Sequence, residues 1–411
     1  MRAVDDADNS APELYAKRLV VFVGGFDPRS AGYYHRLCAG QAALQGQVDG
    51  RKYEVSRRSI LNIQGDAGVS HLHAQWTVQD ANAGSSRYVF FDWSSQVRAH
   101  WHRSLWRVLF EAVSTYGLVL LHWKVLQRVK AAAPNTLLSF IYPPFLMMLC
   151  CLLAIACGVA SAKAVLHVAS SSVLMQYGIA GVTAVLGFGM FALLDRRLHV
   201  SWLLRIFTFA RTCAEESDVL MDDRVQAMAS WIARQQAANP MVEVVVLGFS
   251  VGSVKSLALL QAWKKACVDL QNTRQPSLTF ITLGNCIPLF SLMPGARQVQ
   301  TMLHEVGNES RIYWVDISSP GDSVSFAMCD LHQLSSQDKQ GMSTYLNPRV
   351  MCSPRFHTLF SKATYRWMRP NKMRMHFQYL MASEKPGAYN FYSMLTGIFT
   401  VRSFVEKYLS R

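Results

Sequence analysis

The sequence predicts an α/β fold: a mostly parallel sheet with helices on both faces, interrupted by a hairpin of two transmembrane helices. Three observations predict it. Compact apolar runs of strand length alternate with helix-length patterns, as a sheet with covered faces requires. Two long uncharged stretches, residues 131–162 and 164–194, are separated by Lys163 alone. Finally, the run Val242-Glu243-Val244-Val245-Val246-Leu247 enters Gly248-Phe249-Ser250-Val251-Gly252 and then the helical stretch Lys255 to Leu260.

Taken in order, residues 1–17 read as a disordered lead-in, because Met1 to Pro12 is too acidic and polar for a signal peptide. The first part of the α/β domain covers 18–99. It opens with an apolar strand, Arg18 to Val23, closed by Gly24-Gly25, and a helix pattern from Ala31 to Leu44. Shorter strand candidates are Tyr53 to Ser56, Leu72 to Val78 and Tyr88 to Asp92.

Residues 100–217 form the insertion. Each uncharged stretch contains a segment long enough to cross about 30 Å of hydrocarbon as a helix. The first is expected at about 144–160, with Pro143 and Pro144 at its first turn, and the second at about 173–194. Gly178, Gly181, Gly187 and Gly189 would let the two helices approach closely. Lys124, Arg128 and Lys130 precede the pair, and Arg196, Arg197 and Arg205 follow it, so both ends are expected in the cytoplasm. Leu105 to Val129 and Trp202 to Phe209 are aromatic and basic, as in helices lying at the membrane interface.

The second part of the domain, 218–411, begins with a helix from Val219 to Gln236 and continues through the Val242 strand and the helix behind it. Strands follow at Leu278 to Leu283 and at Arg311 to Ile317, the latter leading into Ser318-Ser319-Pro320-Gly321-Asp322.

Whole-chain composition agrees with a membrane part. Of 411 residues only 17% are charged and 51% are hydrophobic. The net charge of +14 calls for an anionic surface or partner. Nine cysteines form no regular framework, as in a reducing compartment.

The chemistry centres on Ser250. A serine at the apex of a strand-to-helix turn presents its hydroxyl at the carboxyl edge of the sheet, and both flanking glycines are needed to clear the strand and the helix. The Val251 amide, at a helix N-terminus, is an oxyanion donor, and Phe26 in the loop after the first strand supplies the second. A serine nucleophile needs a histidine to take its proton and an acid to orient that histidine. Asp322 follows a strand two strands downstream of Ser250, at the same sheet edge; Asp316, on the strand itself, is the weaker acid. The base is expected at His376, with His357 and His332 as alternatives.

With these residues in place, the chain resembles the α/β-hydrolase superfamily of serine esterases, lipases and thioesterases, over about Arg18 to Trp93 and Val219 to Leu409. Gly248-Phe249-Ser250-Val251-Gly252 and Pro320-Gly321-Asp322 carry the resemblance. It implies an α/β-hydrolase-like sheet with Ser250 as nucleophile, Asp322 as orienting acid and His376 as base, and no cofactor. Gly24-Gly25-Phe26 matches an oxyanion loop that in many members begins His-Gly, with Gly24 here in place of the histidine. The chain looks most like bacterial membrane-embedded hydrolases that open with Gly-Phe-Asp-Pro-Arg. That likeness implies a multi-pass protein of the bacterial inner membrane with its catalytic domain in the cytoplasm.

Between Lys339 and Ser383 lie eight basic residues and no acidic one, interleaved with Phe356, Phe360, Tyr365, Trp367 and Phe377. Arg369, Lys372 and Arg374 in this run are candidate contacts for a substrate or lipid headgroup. No nucleic-acid reader motif accompanies the charge, so membrane lipids are the expected partner. His71, His73, His100 and His102 have no diagnostic metal spacing, and no metal is expected. The expected function is hydrolysis of a carboxylic ester or thioester through an acyl-enzyme. The alternative is a catalytically inactive hydrolase-like membrane scaffold.

Overall fold

Runs of Val, Ile, Leu and Phe build the centre of one mixed sheet, and the reason is burial on both faces. The computed structural model describes residues 17–65, 68–101, 104–168, 173–216, 219–270, 276–331 and 347–409. The chain divides into two compact units, Met1–Ala99 with Thr212–Arg411, and His100–Arg211.

In the first unit, β1 (Lys17–Val23) is followed by α1 (Ala31–Asp49), β2 (Tyr53–Val55), β3 (Ser59–Gln64), β4 (Ser70–Asp80), β5 (Ser85–Phe90) and α2 (Ser94–His100). After the second unit come α8 (Asp223–Ala238), β6 (Glu243–Phe249), α9 (Gly252–Asp269), β7 (Leu278–Leu283), α10 (Ile287–Ser291), α11 (Arg297–Gly307), β8 (Ile312–Ile317) and β9 (Val350–Cys352). Short helices α12 (Phe356–Leu359), α13 (Lys362–Met368), α14 (Lys372–Phe377), α15 (Phe391–Thr396) and α16 (Val401–Tyr408) complete it.

The strand order is β2-β4-β5-β1-β6-β7-β8-β9, with β3 also on β4. From β5 to β9 every neighbouring pair is parallel, while β2, β3 and β5 pair antiparallel with β4. The fold is therefore α/β with a mixed sheet. In β6 and β7 nearly every side chain is buried, the signature of strands covered on both faces. Val20, Phe22, Val245 and Leu247 join the core that includes Tyr34, Tyr392 and Val405 from α1, α15 and α16. The alternating residues Val21 and Val246 are buried as well, and α9 packs on β1 and β6.

Two strands lie outside the sequence expectation, β3 and β9. Ser59, Ile60, Asn62 and Gln64 of β3 are exposed and Ile63 alone is buried, so the segment lacks the regular alternation that makes a strand legible. β9 has three residues, too few for a pattern.

The second unit holds α3 (Leu105–Leu121), α4 (Lys124–Ala132), α5 (Pro134–Val168), α6 (Val173–Leu198) and α7 (Val200–Glu215), the last running on into the first unit. The expected single helix from Leu105 to Val129 is two, bent by 86° at the break. The first hairpin helix starts at Pro134, not near Pro144, so Pro143 and Pro144 lie inside it. A proline at the first helical position misses no donor, and the apolar residues after it extend the helix upstream. Of the four α6 glycines, Gly187 approaches α5, where a Cβ would sit 2.9 Å from the Ala154 Cβ; Gly178, Gly181 and Gly189 face open space. Among the described residues one helix segment, Thr136–Ser161, is by itself long and apolar enough to cross a membrane, with mean hydropathy 2.3 and 11% burial. The bent pair Trp106–Leu121 and Lys124–Ala131 meets the same test only when taken as one span. The second expected span, at about 173–194, is helical but does not meet it.

Candidate active site

Ser250 sits between β6 and α9 with φ of +58°, in the left-handed region that a side chain enters at a cost of about 1–3 kcal/mol. Its amide donates to the Leu283 carbonyl of β7 at 2.9 Å, which fixes the turn to the neighbouring strand. The flanking glycines are steric necessities. A Cβ at Gly248 would lie 2.7 Å from the Ser253 Cα, and one at Gly252 would lie 2.1 Å from the Val23 carbonyl oxygen. The elbow is thus pressed between its own helix and the end of β1. On that side Gly25 meets the serine, with its Cβ position 3.0 Å from the Ser250 Cβ.

The acid and the base meet. Asp322 lies in the turn after β8, and its Oδ2 is 2.8 Å from His376 Nδ1. Asp322 Oδ1 accepts from the Val324 amide at 3.1 Å, so both carboxylate oxygens are engaged. Both side chains are buried. An ionised Asp322 makes Nδ1 the donor and leaves Nε2, which is also buried, with the lone pair that a general base uses. The imidazole packs on Phe249, the residue before Ser250, with ring centroids 5.0 Å apart.

Gly284 joins the two halves. It follows Leu283, which holds the Ser250 amide, and its φ of +55° suits glycine. A Cβ there would lie 3.3 Å from both Asp322 Oδ2 and His376 Cε1, and 2.7 Å from the Tyr379 ring. The end of β7 therefore touches the serine backbone on one side and the Asp–His pair on the other. Among the described residues, the hydrogen-bond partner of the Ser250 hydroxyl is Cys286 Sγ, at 3.8 Å. Burial pushes the Cys286 thiol up to about 12, so it is protonated at neutral pH.

Other expected residues fall as follows. Val251 and Phe26 are buried on either side of the serine, Val251 directly after it and Phe26 directly after Gly25. Asp316 is buried on β8, and it accepts from Thr282 and Asn285 at Oδ1 and from Ser318 at Oδ2. His357 is exposed and packs edge-on to Tyr365. His332 lies outside the described residues. Arg369 is exposed. Lys372 is half-buried, donates to Ser323 at 2.9 Å, and has its pKa lowered by desolvation against the opposing pull of Asp322. Arg374, also half-buried, bonds to Met381 Sδ, and desolvation lowers its pKa.

Three residues escaped the sequence reading. Cys286 follows Gly284-Asn285 at the end of β7, and that position after a strand was its one signal. Tyr379 accepts the Ser319 amide at 2.8 Å and lies against His376. Lys255, on the helix after the serine, is fully buried and donates to Gln96, Asp222 and the Val219 and Leu220 carbonyls. A groove of about 540 Å³ lies apart from Ser250, lined by Asp49, Arg51, Asn390 and Phe399 among others. Among the described residues no three His, Cys, Asp or Glu side chains gather as a metal site.

No protein-family model matches this sequence, and no curated protein and no solved structure matches it.

Proposed function

We propose that this protein is a membrane-attached serine hydrolase that cleaves a carboxylic ester or thioester through an acyl-enzyme. The observation that carries the reading is the buried Asp322–His376 pair whose imidazole packs on Phe249, the residue before a serine at a strained strand-to-helix turn. In this mechanism the Ser250 hydroxyl leaves its long contact with Cys286 and turns to His376 Nε2. It then attacks the acyl carbonyl as the histidine takes its proton. Asp322 holds the imidazole in the required tautomer and stabilises the imidazolium. The Val251 and Phe26 amides receive the oxyanion. His376 then protonates the departing alcohol or thiol, and activated water releases the acid. Attachment to the membrane rests on Thr136–Ser161 and on the exposed apolar side chains of the second unit, among them Phe110, Leu121 and Val185. The basic flanks of that unit and the resemblance to bacterial membrane-embedded hydrolases favour an inner-membrane location with the catalytic unit in the cytoplasm.

The test is turnover of p-nitrophenyl esters and acyl-thioesters of graded chain length by the full chain in detergent. Ser250→Ala and His376→Ala are expected to remove catalysis, and Asp322→Asn to lower kcat by about 10⁴-fold. Turnover that survives Ser250→Ala overturns the assignment. Absent turnover of a folded wild type on every substrate favours the inactive scaffold.

A further inference from the structure

We infer that α13 (Lys362–Met368) and the turn after it form a docking face for an anionic lipid surface, with Trp367 as its apolar wedge. One side of this short helix is held by the protein. Met368 is buried, and the Tyr365 hydroxyl lies 2.8 Å from the Cβ position of Gly321, in the turn that carries Asp322. The opposite side faces solvent. Lys362, Arg366 and Arg369 are exposed, and Trp367 is 66% exposed.

Burying the indole would be the ordinary fate of such a large apolar side chain, so its exposure among cations calls for an occupant. The described residues 347–383 contain seven basic side chains and no carboxylate. The nearest acid along the chain, Glu384, is engaged by the Ser361 amide at the far end of the helix. Exposed Arg and Lys around a tryptophan match the headgroup level of a membrane, where cations meet anionic lipid and the indole sits between water and hydrocarbon. A lipid surface is favoured over nucleic acid because the same chain carries the apolar helix Thr136–Ser161. The structure also separates this face from the remaining candidate cations: Lys372 turns to Ser323 and Arg374 to Met381, toward the protein.

This inference rests on the membrane attachment proposed above and is independent of catalysis. The full chain is placed in nanodiscs of phosphatidylcholine alone or with 30 mol% (about one lipid in three) phosphatidylglycerol, and amide hydrogen exchange is followed over 361–371. The expected result is slower exchange with phosphatidylglycerol, lost in Arg366→Glu/Arg369→Glu and weakened in Trp367→Ala. Unchanged exchange elsewhere in both variants shows that they fold. A chain that does not enter discs refutes the attachment and is offered phosphatidylglycerol vesicles, where flotation lost on charge reversal supports the face. Equal exchange in both lipids, protection that survives charge reversal, or failure to float overturns the proposal. So does displacement from phosphatidylglycerol by an oligonucleotide at equal charge concentration.

Discussion

Asp316 is a buried carboxylate held by three neutral donors, and this makes it one residue through which pH acts on the fold. Desolvation raises it to about 6, against the lowering effect of Thr282, Ser318 and Asn285. An acid whose folded pKa lies above its unfolded value takes up a proton on folding between the two. Stability is therefore full below about pH 4 and falls as pH rises towards 6, by roughly 3 kcal/mol from this group. Asp316→Asn keeps the shape and removes the charge. The variant is expected to gain on wild type as pH rises from 4 to 7, read from thermal midpoints in detergent; parallel curves would contradict this. At this scale the site was partly legible. Ser250 announces itself through two glycines that the packing of β6 and α9 demands. The distinction between Asp316 and Asp322 rested on strand against turn, and the structure brings His376 to the turn residue. Cys286 had only its place after a strand as a signal and Tyr379 had none, since the contact of Cys286 with Ser250 and of Tyr379 with His376 follows from strand pairing and helix packing far away in sequence.

The helix that follows the serine is tied down at a second point. Lys255 lies on α9, one turn beyond the elbow, and its ammonium joins α2 through Gln96 and the start of α8 through Asp222. Asp222 at the same time caps α8 by accepting the Val225 amide at 3.0 Å. A lysine so buried is stable only because every donor has a partner; desolvation still lowers its pKa. Lys255→Met would leave the Val219 and Leu220 carbonyls and the Asp222 carboxylate short of a donor. The expected loss is about 3 kcal/mol, seen as a fall in melting temperature on the order of 5–10 °C. A change under 1 °C (roughly 0.3 kcal/mol) would refute the role of this tie. Elements with strong patterns were readable: β7 ends where its apolar run ends, and β1 and β6 differ from expectation by a residue or two. β3 was not readable because most of its side chains are exposed, and the start of α5 was misplaced because two prolines imitated a helix boundary.

Over the whole chain, charge and apolarity are sorted by unit, and that sorting is visible in the sequence. The uncharged stretches fall in His100–Arg211, and the run from Arg349 to Arg374 falls in the unit that holds the serine. The uncharged stretches predicted two crossing helices, and among the described residues only Thr136–Ser161 is by itself long and apolar enough, because length without charge describes a buried helix and a spanning one alike. The catalytic reading is a claim about one oxygen atom in that assembly. Its most direct measurement is the site of modification by a fluorophosphonate, in which the nucleophile displaces fluoride from phosphorus. Full-length protein in membranes is labelled, digested and mapped by mass spectrometry, with Ser250→Ala prepared at equal abundance. The account predicts one adduct, on Ser250, absent from the variant and slowed by Asp322→Asn. An adduct on another residue, or equal labelling of wild type and Ser250→Ala, would contradict it.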